Sequence, residues 1–174
     1  MPRIDVRMWW KAATVIPRLD AEGWRGLDFV AKWLVSTRFA AIILTLISAT
    51  VAGILAYRIA NINVGIWILL TLSLVFAHAS NNLINDIVDY TKGVDRGNYY
   101  RAQYGPQPLE HGFMTRRGMI VYAAVNFVIA VATGAALVGY RGGLTLLLML
   151  LGVVFLGFYT YPFKYYGLGE ISVF

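Results

Sequence analysis

No cysteine occurs among the 174 residues, which excludes a disulfide framework and any thiolate metal site. Charge is scarce: Asp, Glu, Lys and Arg make up 14% of the chain, where a soluble domain carries nearer a quarter. Histidine is rarer still, with only His78 and His111, so an imidazole-built metal centre has almost nothing to draw on. A secretory leader is also missing. The stretch "MPRIDVRMWWKAATVIPRLDAEGWRGLDF" mixes charges with prolines and has no continuous apolar core.

What replaces charge is hydrocarbon, at 59% of residues. Charge-free runs cover 39–57, 59–85, 118–140 and 142–163. Each exceeds about 18 residues, the length at which a bilayer span is the default reading. The expected fold class is therefore all-α, a polytopic transmembrane helical bundle of four spans plus the start of a fifth over 168–174. Residues 1–37 are expected to form a poorly ordered cytoplasmic lead (1–23) and an interfacial amphipathic helix (24–37), with the membrane domain over 38–174. In that helix Trp24, Leu27, Val30, Ala31 and Leu34 take one face and Arg25, Asp28 and Lys32 the other. A helix packed on its own protein satisfies the same pattern.

The net charge of +6 has a distribution that decides its meaning. Thirteen of the fifteen basic residues precede span one, lie between spans two and three, or follow span four; only Arg58 and Arg141 fall in the other two connections. That alternation obeys the positive-inside rule at every crossing. It places the N-terminus and the 86–117 loop in the cytoplasm of a multi-pass membrane protein, with a prokaryotic plasma membrane as the expected location. It also accounts for the basicity without nucleic acid.

The chemistry concentrates in "NNLINDIVDYTKGVD", residues 81–95. His78, Asn82, Asp86 and Asp89 follow at spacings of 4, 4 and 3, with Asn85 between, so a polar stripe runs along one side of span two and ends in two acids. Polar groups inside a span face the bundle or a water-filled cavity. The acids stand at the negative end of the helix macrodipole and repel one another, penalties of about 0.3–1 kcal/mol for each carboxylate at the dipole. A divalent cation relieves both, and hard oxygen donors without sulfur favour Mg²⁺ held jointly with substrate phosphates. Lys92, Arg96 and Arg101 lie just downstream to grip phosphate oxygens. In the plainer alternative these bases merely pair with Asp86, Asp89 and Asp95. His78 and Asn126 serve equally well as interhelical hydrogen-bond partners.

The same stretch resembles the first aspartate-rich motif of the UbiA superfamily of intramembrane prenyltransferases, with Asn85, Asp86 and Asp89 as its N-D-x-x-D core. "YTKGVD" and "FYTYPFKYYGLGEISVF" (158–174), with Tyr159, Pro162, Lys164, Gly169 and Glu170, are most similar to the branch that prenylates 1,4-dihydroxy-2-naphthoate for menaquinone. The resemblance covers roughly residues 33–174. It implies a fold of about nine helices around a cavity open to lipid, a fold-level analogy. It also implies Mg²⁺ on Asp86, Asp89 and Asp95, with Asn82 in the catalytic set and Asn85, Lys92, Arg96, Arg101 and Lys164 on the diphosphate. The partners implied are a polyprenyl diphosphate, an aromatic acceptor and the lipid bilayer, with no nucleic acid. Two departures stand out: Gln107 and Pro108 occupy the region where that branch carries an Arg, and no second aspartate-rich motif appears. The ending "GEISVF" is expected to be a truncation within a span. A cation-binding transporter or channel subunit is the competing class, and a non-catalytic remnant the third. The topology has a direct test. Cysteines placed at Asn98 and Asn61 should label from opposite faces of sealed vesicles, and labelling from the same face would rule the arrangement out.

Overall fold

The computed structural model describes residues 4–60, 62–94, 97 and 105–168. Among these, seven α-helices follow one another: α1 Val6–Thr14, α2 Ala21–Gly26, α3 Phe29–Ser36, α4 Phe39–Ile59, α5 Val64–Lys92, α6 Arg116–Arg141 and α7 Gly143–Phe158. A wide helical turn, Tyr159–Phe163, and a short one, Lys164–Tyr166, continue α7. Four helices are long and apolar enough to cross a membrane: Phe39–Ile59, Val64–Lys92, Arg116–Arg141 and Gly143–Tyr166. The all-helical, multi-span expectation holds.

Local chemistry sets the boundaries. Asp5, Asp20, Asp28, Asn63 and Thr115 each accept a backbone N–H at a helix start through the side chain, a cap worth about 1 kcal/mol. Gly93 ends α5 in the left-handed region at φ 73°, its N–H bonding the carbonyls of Asp89 and Tyr90. Span two therefore runs seven residues past its charge-free stretch, because nothing before Gly93 stops the helix.

The central pair is α5 and α6. Met119, Ala123, Asn126, Ala130, Gly134 and Leu137 are the buried line of α6, at helical spacing. Two hydroxyls on α5 cross to it: Ser80 donates to the Ala123 carbonyl (3.1 Å) and Ser73 to the Ala130 carbonyl (3.0 Å). Small residues allow that approach, and side-chain donors to carbonyls hold it, as suits helices in lipid. On the other side, α4 meets α5 through Ile42, Val75 and Ala79. Gly53 of α4 leaves room for Trp67, whose ring nitrogen would lie 2.5 Å from a Cβ there and donates instead to the Ala49 carbonyl at 2.8 Å.

The N-terminal region differs from the sequence expectation. Residues 6–14 form a capped helix, and the amphipathic helix expected over 24–37 is broken at Leu27–Asp28 into α2 and α3. The reason is Asp28, which leaves the polar side assigned to it and turns inward. Its carboxylate caps α3 through the Ala31 N–H (2.9 Å), accepts the Trp9 indole N–H (2.8 Å) and accepts the Asp5 N–H (3.2 Å). Ala12, Trp24, Leu27, Ala31, Leu34 and Val35 then bury together. The stretch expected to be a long loop also folds back in part. Residues 105–109 are buried, Gln107 and Pro108 included, Phe113 stacks on Trp24 at 5.4 Å and Leu109 packs with Leu83 and Met119. The N-terminal helices and residues 105–114 thus pack together beside the Lys92 end of α5.

Burial pushes the Asp28 carboxyl up, but the hydrogen bonds from Ala31, Trp9 and Asp5 outweigh it and hold the group below the usual carboxylate range. A depressed folded value means the stabilisation is complete above the unfolded value of about 3.9 and is lost as pH falls through the folded one. Neutralising the group by substitution should therefore act at neutral pH, where the native carboxylate is charged. The Asp28→Asn variant should expose the 4–27 segment to limited proteolysis at pH 7 while the spans stay intact. Unchanged protection would show that Asp28 does not hold α1.

Candidate functional site

Both acids of the stripe are buried: Asp86 is 4% exposed and Asp89 is fully enclosed. An uncompensated carboxylate in such a position costs several kcal/mol, and each one has a cation. Arg38 Nη2 lies 2.5 Å from Asp86 Oδ1. Lys164 Nζ lies 2.8 Å from Asp89 Oδ2 and 3.0 Å from Asn85 Oδ1. Asn85 also donates to Asp89 Oδ2 (3.1 Å), and the Tyr165 hydroxyl donates to Asp89 Oδ1 (3.1 Å).

The stripe is in fact two neighbouring columns. His78, Asn82 and Asp86, each four apart, turn to the segment around Arg38. His78 Nδ1 meets the Thr45 hydroxyl at 2.7 Å, and Asn82 donates to the Thr37 carbonyl at 2.7 Å. Asn81, Asn85 and Asp89, also four apart, lie on the other column, where Lys164 reaches the last two. Steps of 4 on a 3.6-residue helix keep each column nearly aligned and set the two columns side by side.

Arg38 is the residue that sequence reasoning left among the topology charges. It is the one non-glycine residue at positive φ among those described, at φ 53°, ψ 52°, in the hinge between α3 and α4. That conformation costs about 1–2 kcal/mol. Thr37, whose hydroxyl donates to the Trp33 carbonyl and whose own carbonyl is held by Asn82, fixes the hinge from one side; Asp86 fixes it from the other. The available signal was position: Arg38 is the last charge before a long apolar run, where a lone cation has reason to turn back to an acid.

The remaining expectations divide. Lys164 reaches Asp89 and Asn85. Lys92 does not: it is exposed and its ammonium sits 4.7 Å above the Tyr161 ring, an aromatic placement that a helix end turned toward Tyr159–Phe163 favours. Asn82 serves the hinge. Asn126 accepts the Trp33 indole N–H at 3.1 Å, and Thr133 bonds carbonyls of its own helix. Asp95, Arg96 and Arg101 lie outside the described residues, as do Gly169 and Glu170. Among the described residues, the cations beside Asp86 and Asp89 are Arg38 and Lys164. Among the described residues no three His, Cys, Asp or Glu side chains gather closely enough to hold a metal.

Residues 45–174 match the UbiA prenyltransferase family, and the chain belongs to that family. Membership implies prenyl transfer to an aromatic acceptor by a multi-pass membrane protein. No curated protein and no solved structure matches the chain.

If Lys164 carries the charge balance of Asp89, removing it should be felt in stability. Lys164→Met should lower the unfolding free energy by about 2 kcal/mol, below the roughly 3–5 kcal/mol of a fully buried pair because the lysine is itself part-exposed. Thermal unfolding in detergent measures it, and a change within about 0.5 kcal/mol, typical of surface positions, would make the contact incidental.

Proposed function

We propose that the site serves Mg²⁺-dependent transfer of a polyprenyl group from an allylic polyprenyl diphosphate to an aromatic quinone precursor of the 1,4-dihydroxy-2-naphthoate kind, this chain carrying the N-terminal part of such an enzyme. The observation that carries the reading is two enclosed carboxylates on adjacent turns, each balanced by a cation from a different part of the chain. A structural pair needs one acid and one base. Two such pairs side by side bring acids and cations together at one place, a setting suited to take up a metal and an anion together.

The donors fit Mg²⁺. The carboxylates of Asp86 and Asp89 and the amide oxygen of Asn85 are hard oxygen ligands. One turn deeper on the same column, Asn81 Oδ1 is buried and has no hydrogen-bond partner. Asp86 and Asp89 are the ligands we assign, with Asp95 and Asn85 supporting them. When bound, Mg²⁺ would supply Lewis-acid neutralisation of charge on the leaving diphosphate.

The chain's own cations do the rest. A bound diphosphate carries about three negative charges near neutral pH. Arg38 and Lys164, released from the acids, donate charge-assisted N–H···O bonds to its oxygens, and those bonds strengthen as the C–O bond breaks and charge accumulates there. Arg38 has the planar fork for two oxygens at once; Lys164 acts as a point charge. Arg96 and Arg101 complete the diphosphate set. The rings of Tyr161 and Tyr165, beside Lys92 and Asp89, lie where they can face an allylic cation and favour it over water. That cation alkylates the electron-rich ring of the acceptor, which gives up its ring proton. The basic-residue distribution supports a cytoplasmic site, with the N-terminus and the Lys92 end of α5 on that side.

Calorimetry of the purified chain with an allylic diphosphate separates this reading from a structural one. Asp86→Ala and Asp89→Ala should each remove Mg²⁺-dependent binding, whereas Glu22→Ala, on an exposed turn of α2, should leave it unchanged. Equal binding by all three variants would sink the assignment.

A further inference from the structure

The two basic residues that break the charge asymmetry, Arg58 and Arg141, stand in the last turns of α4 and α6, at the Val64 end of the bundle. The acids are far from there. Asn63, which caps α5, lies 26 residues before Asp89, roughly 39 Å at 1.5 Å per residue. The sequence offers these two cations no counter-charge. It has no Asp or Glu between Asp28 and Asp86, nor between Glu110 and Glu170. Among the described residues neither guanidinium makes an ion pair. A cation at the edge of a bilayer with no acid of its own chain turns to water or to lipid phosphate.

Arg141 also lines a cavity of about 520 Å³ between α4, α5 and the end of α6. That volume lies within the roughly 300–1,000 Å³ of ligand pockets. Its polar groups gather at the mouth: Asn63 at the start of α5, and Tyr140 and Arg141 at the end of α6. Inward the wall becomes hydrocarbon as far as Leu70, seven residues beyond Asn63, roughly 10 Å deeper. The α4 wall is built of small residues, Ala52, Gly53 and Ala56, which leave the space open. Two of the polar groups are already spent. The Trp67 indole N–H donates to the Ala49 carbonyl (2.8 Å), which holds the ring over Gly53, and Asn63 Oδ1 accepts the Ile66 N–H (3.2 Å). Arg141 and Tyr140 both stay exposed.

We propose that this cavity binds an anionic phospholipid, with an acyl chain in the recess that α4, α5 and α6 enclose and the headgroup phosphate on Arg141. The guanidinium presents two N–H donors in one plane, which matches a pair of phosphate oxygens. The Tyr140 ring stands at the helix end, the level at which aromatic side chains meet headgroups. The phosphate supplies the counter-charge that the chain itself lacks at this end. The acyl chain supplies contacts to walls that would otherwise face a gap, and a wall without partner atoms forfeits its dispersion attraction. The inference is independent of the diphosphate reading, because it uses no residue of the Lys92 end.

Thermal unfolding of the full chain in detergent, titrated with two lipids of one acyl composition, tests this. Phosphatidylglycerol should raise the midpoint at concentrations at least fivefold lower than phosphatidylcholine, and inorganic phosphate should not raise it. Arg141→Gln should abolish the preference; removing a base from this end leaves the topology signal intact. Arg58→Gln, exposed at the same end but outside the cavity wall, should keep it. Ala56→Leu, which fills the recess, should weaken the response to both lipids. Photolabelling places the lipid. Phosphatidylglycerol with a diazirine in its acyl chain should mark the peptide containing Ile66 in the native chain and not in Ala56→Leu. Equal responses to the two lipids, a loss in Arg58→Gln as large as that in Arg141→Gln, or labelling that Ala56→Leu leaves unchanged would overturn the proposal. A shift with inorganic phosphate equal to that with phosphatidylglycerol would also overturn it, and would make Arg141 a simple anion site.

Discussion

A carboxylate enclosed within a membrane-length helix has to be matched by a cation, and α5 carries two of them. Removing water from a charge costs several kcal/mol even after relaxation, and only close pairing with good hydrogen bonds recovers it. The arrangement of the bundle's Lys92 end follows. The α3–α4 hinge must sit where Arg38 reaches Asp86, and the chain after α7 must bend so that Lys164 reaches Asp89. The left-handed backbone at Arg38 and the extended residue Tyr161 (φ −141°, ψ 125°) inside the turn after α7 are the conformations those two reaches require. Hydrophobic burial cannot impose them, because in lipid an apolar side chain gains little by leaving one hydrocarbon surface for another.

The spans were legible because a bilayer sets their minimum length and charge-free runs are visible at a glance. The polar stripe on span two was legible for a related reason: helical spacing over the twelve residues from His78 to Asp89 fixes where the polar groups stand, whatever packs against them. Partners were a different matter. Lys92, Arg96 and Arg101 are near the acids in sequence, whereas Arg38 and Lys164 are 48 and 75 residues from their carboxylates. Proximity in the chain favoured Lys92, whose ammonium lies over the Tyr161 ring, and only the resemblance to a known family brought Lys164 into the set. The N-terminal lead was misread because Asp28 looks like a surface residue on a helical wheel. Its inward turn depends on Trp9 and Asp5, nineteen and twenty-three residues away, and no local pattern encodes that.

The pairing of Asp86 with Arg38 is where this account is most exposed. A double-mutant cycle in detergent, with Asp86→Leu, Arg38→Met and both together, reads it by thermal or denaturant unfolding. Arg38→Met leaves Asp86 enclosed and should cost about 3 kcal/mol, Asp86→Leu leaves the part-exposed Arg38 and should cost less, while the double removes both charges and should recover most of the larger loss. Losses that simply add would mean that the two side chains do not depend on each other, and the central constraint proposed for this fold would be contradicted.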